Sequence, residues 1–345
     1  MIRITIDGKV VETNNGTTVL AAAGKVGIHI PTLCHLSGRK PRTSCLVCAV
    51  AVEGEKRLVP SCTMPVSEGM VVSASSAEVL AFRRNALALL VSEHRGDCLA
   101  PCNLVCPAGM DIAKIMNHLS QGEIQQAALL VVSGDSDGHP CSSCPALCEK
   151  VCHRKKLDEP LAIRAVMLGL TAGPASNSPP DSSSHQPFST RLAPISKADA
   201  MVLGENARPG GRVVTSSDGT ATEAELRPEA ERCFQCSCIA LKHCRLRITA
   251  VDLDVSGKPG RGERRPFTRV QVGEHWRYES GKCIACGLCV AEANARNGAL
   301  SWDGRGFGVS LRPAIGHTWA TALGNDPAAV IKVCPTGALS DTSNR

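Results

Sequence analysis

Apolar and polar positions alternate over residues 2–6 and again over 9–12, with Asp7-Gly8 between the two runs. Period-two alternation around an Asp-Gly pair is the sequence form of a tight β-hairpin. Thr17-Thr18 then caps an Ala-rich helix expected over 19–26, and strands are expected over 49–52 and 56–59. Over 78–92 the period becomes helical, with Val79, Leu80, Ala86, Leu87 and Leu90 on one apolar side. Two short amphipathic helices follow at 112–121 and 123–132, separated by Gly122, and another at 161–170. Residues 171–191 are dense in Ser and Pro, and the Gly-rich stretch on to Thr222 has little apolar periodicity, so 171–227 reads as linker or docking segment. A last strand is expected over 267–272.

Composition changes this picture. Of 345 residues only 3% are aromatic, with one Tyr, while 19 are Cys. A chain so poor in large rings must fill its interior otherwise, and metal clusters do so with binding energy that becomes folding energy. The odd cysteine count, the tight C-x2-C spacings and the direct passage from Met1 into 2–6 without a signal-peptide pattern argue against an extracellular disulfide framework and for a reducing cytoplasm. The apolar run 86–91 is far too short to span a bilayer, so no direct membrane insertion is expected. The charge of +6 is spread without a basic run, which argues against nucleic acid and suits an acidic protein partner.

The cysteines fall into groups. Cys34, Cys45, Cys48 and Cys62 are spaced C-x10-C-x2-C-x13-C among the early strands. Three thiolates in one loop and a fourth from a later turn suit a 2Fe-2S cluster, with structural zinc as the alternative. His94, Cys98, Cys102, Cys106, Cys141, Cys144, Cys148 and Cys152 are eight soft or borderline ligands, enough for two four-coordinate centres. Cys233, Cys236, Cys238 and Cys244 lie in one tight loop, C-x2-C-x-C-x5-C, able to hold a 4Fe-4S cluster or one zinc. Cys283, Cys286 and Cys289 open a ferredoxin signature whose local fourth position is Ala293, and Cys334-Pro335 supplies the missing thiolate. With His94 the nineteen cysteines make twenty ligands, five complete sets.

Two families are resembled. Thr5-Ile6-Asp7-Gly8-Lys9, Gly16-Thr17-Thr18-Val19-Leu20 and Ile30-Pro31-Thr32-Leu33-Cys34 resemble the amino-terminal domain of the large iron–sulfur subunit of complex I, whose relatives occur in NAD-linked hydrogenases and formate dehydrogenases. The likeness implies that Cys34, Cys45, Cys48 and Cys62 ligate 2Fe-2S, with Ser44 departing from the Gly usual before the second cysteine. It also supports His94 as a ligand and, through Cys334-Pro335-Thr336-Gly337-Ala338-Leu339, implies a 4Fe-4S site at Cys283, Cys286, Cys289 and Cys334. After Cys98 the chain instead resembles the helical two-cluster domain of the glutamate synthase small subunit and dihydropyrimidine dehydrogenase, through Asp97-Cys98-Leu99-Ala100-Pro101-Cys102, Cys106-Pro107-Ala108-Gly109 and Cys144-Pro145-Ala146-Leu147-Cys148. That likeness implies one 4Fe-4S cluster on His94, Cys98, Cys102 and Cys152 and another on Cys106, Cys141, Cys144 and Cys148.

The flavin domain that follows in the second family is not expected here: no G-x-G-x-x-G follows a strand, and Gly304-x-Gly306-x-Gly308 has the wrong spacing. The expected fold is α+β: a β-grasp 2Fe-2S domain over 1–76, an α-helical two-cluster 4Fe-4S domain over 77–170, a long linker over 171–227, a Cys-rich loop over 228–250 and a ferredoxin-like 4Fe-4S region over 251–345. One 2Fe-2S and three to four 4Fe-4S clusters are expected, with zinc the alternative at Cys233 to Cys244. No substrate site is recognisable, so the expected role is a single-electron relay between a flavin/NAD(P)H-binding subunit and a catalytic oxidoreductase subunit. The alternatives are a subunit that completes a flavin active site with a separate Rossmann chain, and a zinc or iron–sulfur redox-sensing scaffold.

Overall fold

In the computed structural model, which describes residues 1–131, 139–170, 195–216, 219–255 and 266–344, the chain is a mixed α+β protein. It divides into two compact units. One comprises 1–94, 242–266 and 270–341; the other comprises 95–241, 267–269 and 342–345. The first unit is therefore discontinuous: the chain leaves it after His94 and returns at Lys242. The expectation of domains strung one after another missed this, because periodicity reports local structure and carries no information on where a segment rejoins an earlier one.

In the first unit, strands β1 (Ile2–Ile6) and β2 (Lys9–Thr13) form the expected hairpin, in register from Ile2 opposite Thr13 to Ile6 opposite Lys9. Asp7 and Gly8 both take positive φ, 46° and 79°, as a two-residue turn of this twist requires. With β3 (Ala49–Val52), β4 (Val59–Pro60) and β5 (Val71–Ser73) they make a five-stranded sheet in the order β2-β1-β5-β3-β4, where β1 and β5 run parallel. The strand expected at 56–59 shrinks to Val59–Pro60, because the Glu55 N–H bonds back to the Val52 carbonyl and leaves Lys56 and Arg57 exposed in the turn. Helix Val19–Lys25, capped by the Thr18 hydroxyl, buries Val19, Ala22 and Ala23 against Ile4, Ile6 and Val72.

Helix Ala77–Glu93 starts on the Ser76 hydroxyl and buries Val79, Arg83, Leu87 and Val91. The buried stripe thus runs at four-residue spacing, with Leu90 only half-buried and an arginine in the middle. The unit continues with helix Arg245–Asp252 and then β6 (Arg269–Gln271), β7 (Trp276–Glu279), β8 (Leu300–Asp303), β9 (Ser310–Pro313) and β10 (Leu339–Asp341). A three-stranded sheet in the order β10-β7-β6 and the β8–β9 hairpin enclose Tyr278, Leu300, Leu311, Leu323 and Val330.

The second unit is helical. Helices Ile112–Ser120 and Ile124–Leu129, broken at Gly122 (φ 83°), pack with Ile163–Gly169 and Glu223–Ala230 around Ile115, Met116, Leu119, Val166 and Leu226. The end of the expected helix 123–132 and residues 171–194 of the expected linker lie outside the described residues. Residues 195–216 and 219–227 of that linker pack against the unit. Helix Lys197–Gly204 carries a Ser196/Asp199 capping box and buries Ala200 and Leu203 with Phe234. The Ala221 N–H bonds the Ala165 carbonyl, and a Cβ at Gly169 would lie 2.2 Å from the Ala221 oxygen, so only glycine permits this approach. Composition concealed the packing because its anchors are few and widely spaced.

Candidate metal centres

In the amino-terminal sheet domain Cys34, Cys45, Cys48 and Cys62 are all buried. Cys34 Sγ lies 3.3 Å from Cys45 Sγ. That thiol, joined by the N–H groups of Cys45 and Ser44 and by the Ser44 hydroxyl, lowers Cys34 to about 5, while Cys45 is pushed up in return. Cys62 and Ser61 likewise lower Cys48 to about 6. Ser44, where the resembled family usually has Gly, is thus an added donor to the Cys34 sulfur. Buried, convergent thiols with a thiolate already favoured are a fitting donor set for an iron–sulfur cluster.

The carboxy-terminal thiols Cys283, Cys286, Cys289 and Cys334 line an apolar opening of about 310 Å³ with Tyr278, Trp302 and Leu311. Burial pushes Cys286 up to about 12 and Cys289 well above the usual thiol range. Four thiols around a mostly apolar opening, two of them strongly desolvated, fit a group that takes up their protons' place. At its edge Lys282 and Glu279 form a buried ion pair at 2.5 Å, and the Thr336 hydroxyl donates to the Lys282 carbonyl at 2.6 Å.

Two more openings lie in the helical unit. One, of about 320 Å³, is lined by Cys106, Cys141, Cys144 and Cys148 with Ile112, Ile163 and Arg164. Arg164 fixes its rim by donating to the Cys141 carbonyl at 2.9 Å. The other, of about 400 Å³, is lined by Cys102, Cys152, Cys233 and Cys236 with Ile112, Ile163, Arg154 and Phe234. Ile112 and Ile163 therefore form a wall common to both. Cys102 and Cys236 are pushed well above the usual thiol range, first by burial and then by the other thiols of the group.

This second grouping differs from both partitions expected from sequence. Cys102 and Cys152 come together with Cys233 and Cys236, and the loop from Cys233 to Cys244 is divided. Cys238 lies outside that lining, its N–H donating to the Cys98 carbonyl at 3.0 Å. A buried network produces the arrangement. Arg232, fully buried, donates to Glu229 Oε1 (2.7 Å), the Glu159 carbonyl (2.9 Å) and the Gly210 carbonyl (3.0 Å). Arg154, 1% exposed, donates to Asp158 and to the Arg232 carbonyl (2.9 Å), its guanidinium 5.2 Å from the centre of the Phe234 ring. The turn that carries Cys233 and Cys236 is thereby tied to the segment that follows Cys152. The signal was present as Arg232 beside Cys233, but nothing local named its distant partners.

The Cys-rich turns share a backbone device. Leu46 between Cys45 and Cys48, Ala146 between Cys144 and Cys148, Gln235 between Cys233 and Cys236, and Ala285 between Cys283 and Cys286 all have φ of 51–54°. Each non-glycine residue held left-handed costs about 1–2 kcal/mol. The geometry turns main-chain donors toward sulfur: the N–H of Gln235 lies 3.4 Å from Cys233 Sγ, and that of Ala285 lies 3.4 Å from Cys283 Sγ.

His94, in the first unit, is 6% exposed, and its Nδ1 is buried with no hydrogen-bond partner. Burial, helped by Lys282, holds the ring neutral with a pKa of about 3. A neutral imidazole with an orphaned nitrogen has the state a metal ligand needs. Among the described residues no three His, Cys, Asp or Glu side chains converge tightly enough for a single metal ion; the thiols instead line three openings in groups of four. No helix among them is long and apolar enough to cross a membrane.

Residues 1–77 match the family of 2Fe-2S iron–sulfur cluster binding domains. The chain is 48% identical over 104 residues to the HndD subunit of the NADP-reducing hydrogenase of Solidesulfovibrio fructosivorans, covering 29% of this chain and 18% of that protein. It is 39% identical over 109 residues to the alpha subunit of the NADPH-Fe(3+) oxidoreductase of Geobacter sulfurreducens (32% and 12%). With the gamma subunit of the NAD-reducing hydrogenase HoxS of Cupriavidus necator it shares 36% identity over 97 residues (28% and 41%). The matches thus span less than half of each relative. The fold is similar over 99% of the chain, and over 88% of the other, to a chain in the crystal structure of NAD+-reducing [NiFe]-hydrogenase in the H2-reduced state, with a TM-score of 0.52 at 17% identity.

Proposed function

We propose that this chain is an iron–sulfur electron-transfer subunit that relays single electrons between a flavin/NAD(P)H-binding partner and a catalytic partner of hydrogenase, formate dehydrogenase or similar type, in a reducing cytoplasm. The observation that carries the reading is the set of three apolar openings, each lined by four cysteines, beside a fourth buried set of thiols in the 2Fe-2S-type domain. Cys34, Cys45, Cys48 and Cys62 hold the 2Fe-2S cluster. Three 4Fe-4S clusters are held by Cys283, Cys286, Cys289 and Cys334, by Cys106, Cys141, Cys144 and Cys148, and by Cys102, Cys152, Cys233 and Cys236. His94, Cys98, Cys238 and Cys244 remain, and on number alone they complete the twenty ligands.

Iron–sulfur clusters at these sites supply one-electron exchange without substrate chemistry. The chain's own residues hold them by thiolates, keep water out with apolar walls and aim N–H groups at sulfur to set the potentials. The NADP-reducing and NAD-reducing hydrogenase subunits and the NADPH-linked oxidoreductase subunit similar to this chain support partners of the kind named.

The test is iron, acid-labile sulfide and zinc per chain on anaerobically purified protein, with EPR of the reduced state. One binuclear and four cubane clusters require about eighteen iron and as many sulfide. Zinc in place of most of that iron would sink the relay and leave a structural scaffold.

A further inference from the structure

Arg83 is the charged residue on the buried stripe of helix Ala77–Glu93, in step with Val79, Leu87 and Val91. Its side chain is 3% exposed. Nε donates to the Ala49 carbonyl at 3.0 Å, whereas Nη2 is buried with no hydrogen-bond partner. Ala49 directly follows Cys48, and burial, which disfavours the guanidinium charge, is only partly opposed by Cys48 and Asp7. A guanidinium stays protonated even when buried. Holding the helix to Ala49 uses one donor and accounts for neither the charge nor the orphaned nitrogen. A cation at this depth is costly unless an anion meets its remaining donors, and Nη2 has none.

We propose that Arg83 is a positioning and potential-setting residue for the cluster on Cys34, Cys45, Cys48 and Cys62, with Nη2 donating to the sulfur side of that anionic group beside Cys48. The proposal rests on the reading that these four cysteines hold a 2Fe-2S cluster. Reduction adds one negative charge to such a group. A fixed cation beside it therefore stabilises the reduced form more than the oxidised form, and raises the midpoint potential. Because Arg83 is buried, added salt screens the effect little. Arg84, the next residue, is exposed and donates to the Leu253 carbonyl at 2.9 Å, which makes it a control of the same charge on the other face of the helix.

The experiment is an EPR-monitored redox titration of the full chain and its Arg83→Met, Arg83→Lys and Arg84→Met variants, at low and high salt. Arg83→Met should lower the midpoint of the 2Fe-2S signal with the other signals unmoved, Arg83→Lys should fall between it and the unmodified protein, and Arg84→Met should change nothing. An intact 2Fe-2S signal at an unchanged midpoint in Arg83→Met would overturn the proposal. If Arg83→Met loses the binuclear cluster, its retention in Arg83→Lys supports the required charge, and its loss from both reduces Arg83 to an anchor for Ala49. A missing 2Fe-2S signal in the unmodified protein would overturn the ligand assignment, and the role of Arg83 with it.

Discussion

The grouping of Cys102 with Cys233 gives a test that does not depend on where any electron goes. The two residues are 131 positions apart in the chain yet line one opening with Cys152 and Cys236. Cys102→Ala and Cys233→Ala should therefore each remove the same cubane, taking the count from about eighteen iron to about fourteen. The double variant should also hold about fourteen, because the second substitution removes a ligand from a site already empty. Had the cysteines grouped as local spacing suggested, with Cys102 serving one cluster and Cys233 another, the double variant would fall to about ten. Cys106→Ala, in the neighbouring opening, should instead combine additively with either substitution, since Ile112 and Ile163 stand between the two. Anaerobic iron and sulfide analysis with Mössbauer quantification separates these values comfortably. A double variant near ten would refute the grouping, whatever the single variants show.

Other consequences concern stability and pH. Arg232→Met leaves the fully buried Glu229 carboxylate without its ion partner and should cost about 3–5 kcal/mol in thermal or denaturant unfolding, much of it recovered by adding Glu229→Gln. Loss without recovery in the double variant would contradict the pairing. Ile115→Ala, at the centre of the helical core, should cost about 2–5 kcal/mol, whereas Leu89→Ala on the exposed face of its helix should stay within about 0.5 kcal/mol. Glu225 is held at about 2 by the N–H groups of Thr222 and Thr215 and by their hydroxyls. Its folded value lies below the ordinary 4.5, so its contribution is present above pH 4.5 and is lost as pH falls toward about 2. Glu225→Gln should flatten the acid limb of the unfolding profile over that window; an unchanged limb would remove this cap from the account.

The hairpin at Asp7-Gly8, the Thr18 cap and the helices around Gly122 were legible because their signals are local: a turn pair, a hydroxyl, a change of period. The candidate ligands were legible for the same reason, since soft thiolates at short spacing have little use other than binding metal. Arg83 was less visible. It occupies an apolar register, but a sequence does not say which face of a helix the core will take.

What the sequence determined by itself was the chemistry: nineteen thiols, grouped at short spacings in a chain with 3% aromatic residues, a donor set suited to iron–sulfur clusters. What only the tertiary structure decided was the company each thiol keeps. Spacing along the chain ranks neighbours by the cost of closing a short loop. Arg154, Arg232, Glu229 and Asp158 form a network, buried except at Asp158, that holds Cys233 and Cys236 across the chain beside Cys152, and the entropy of closing so long a loop grows only slowly with its length.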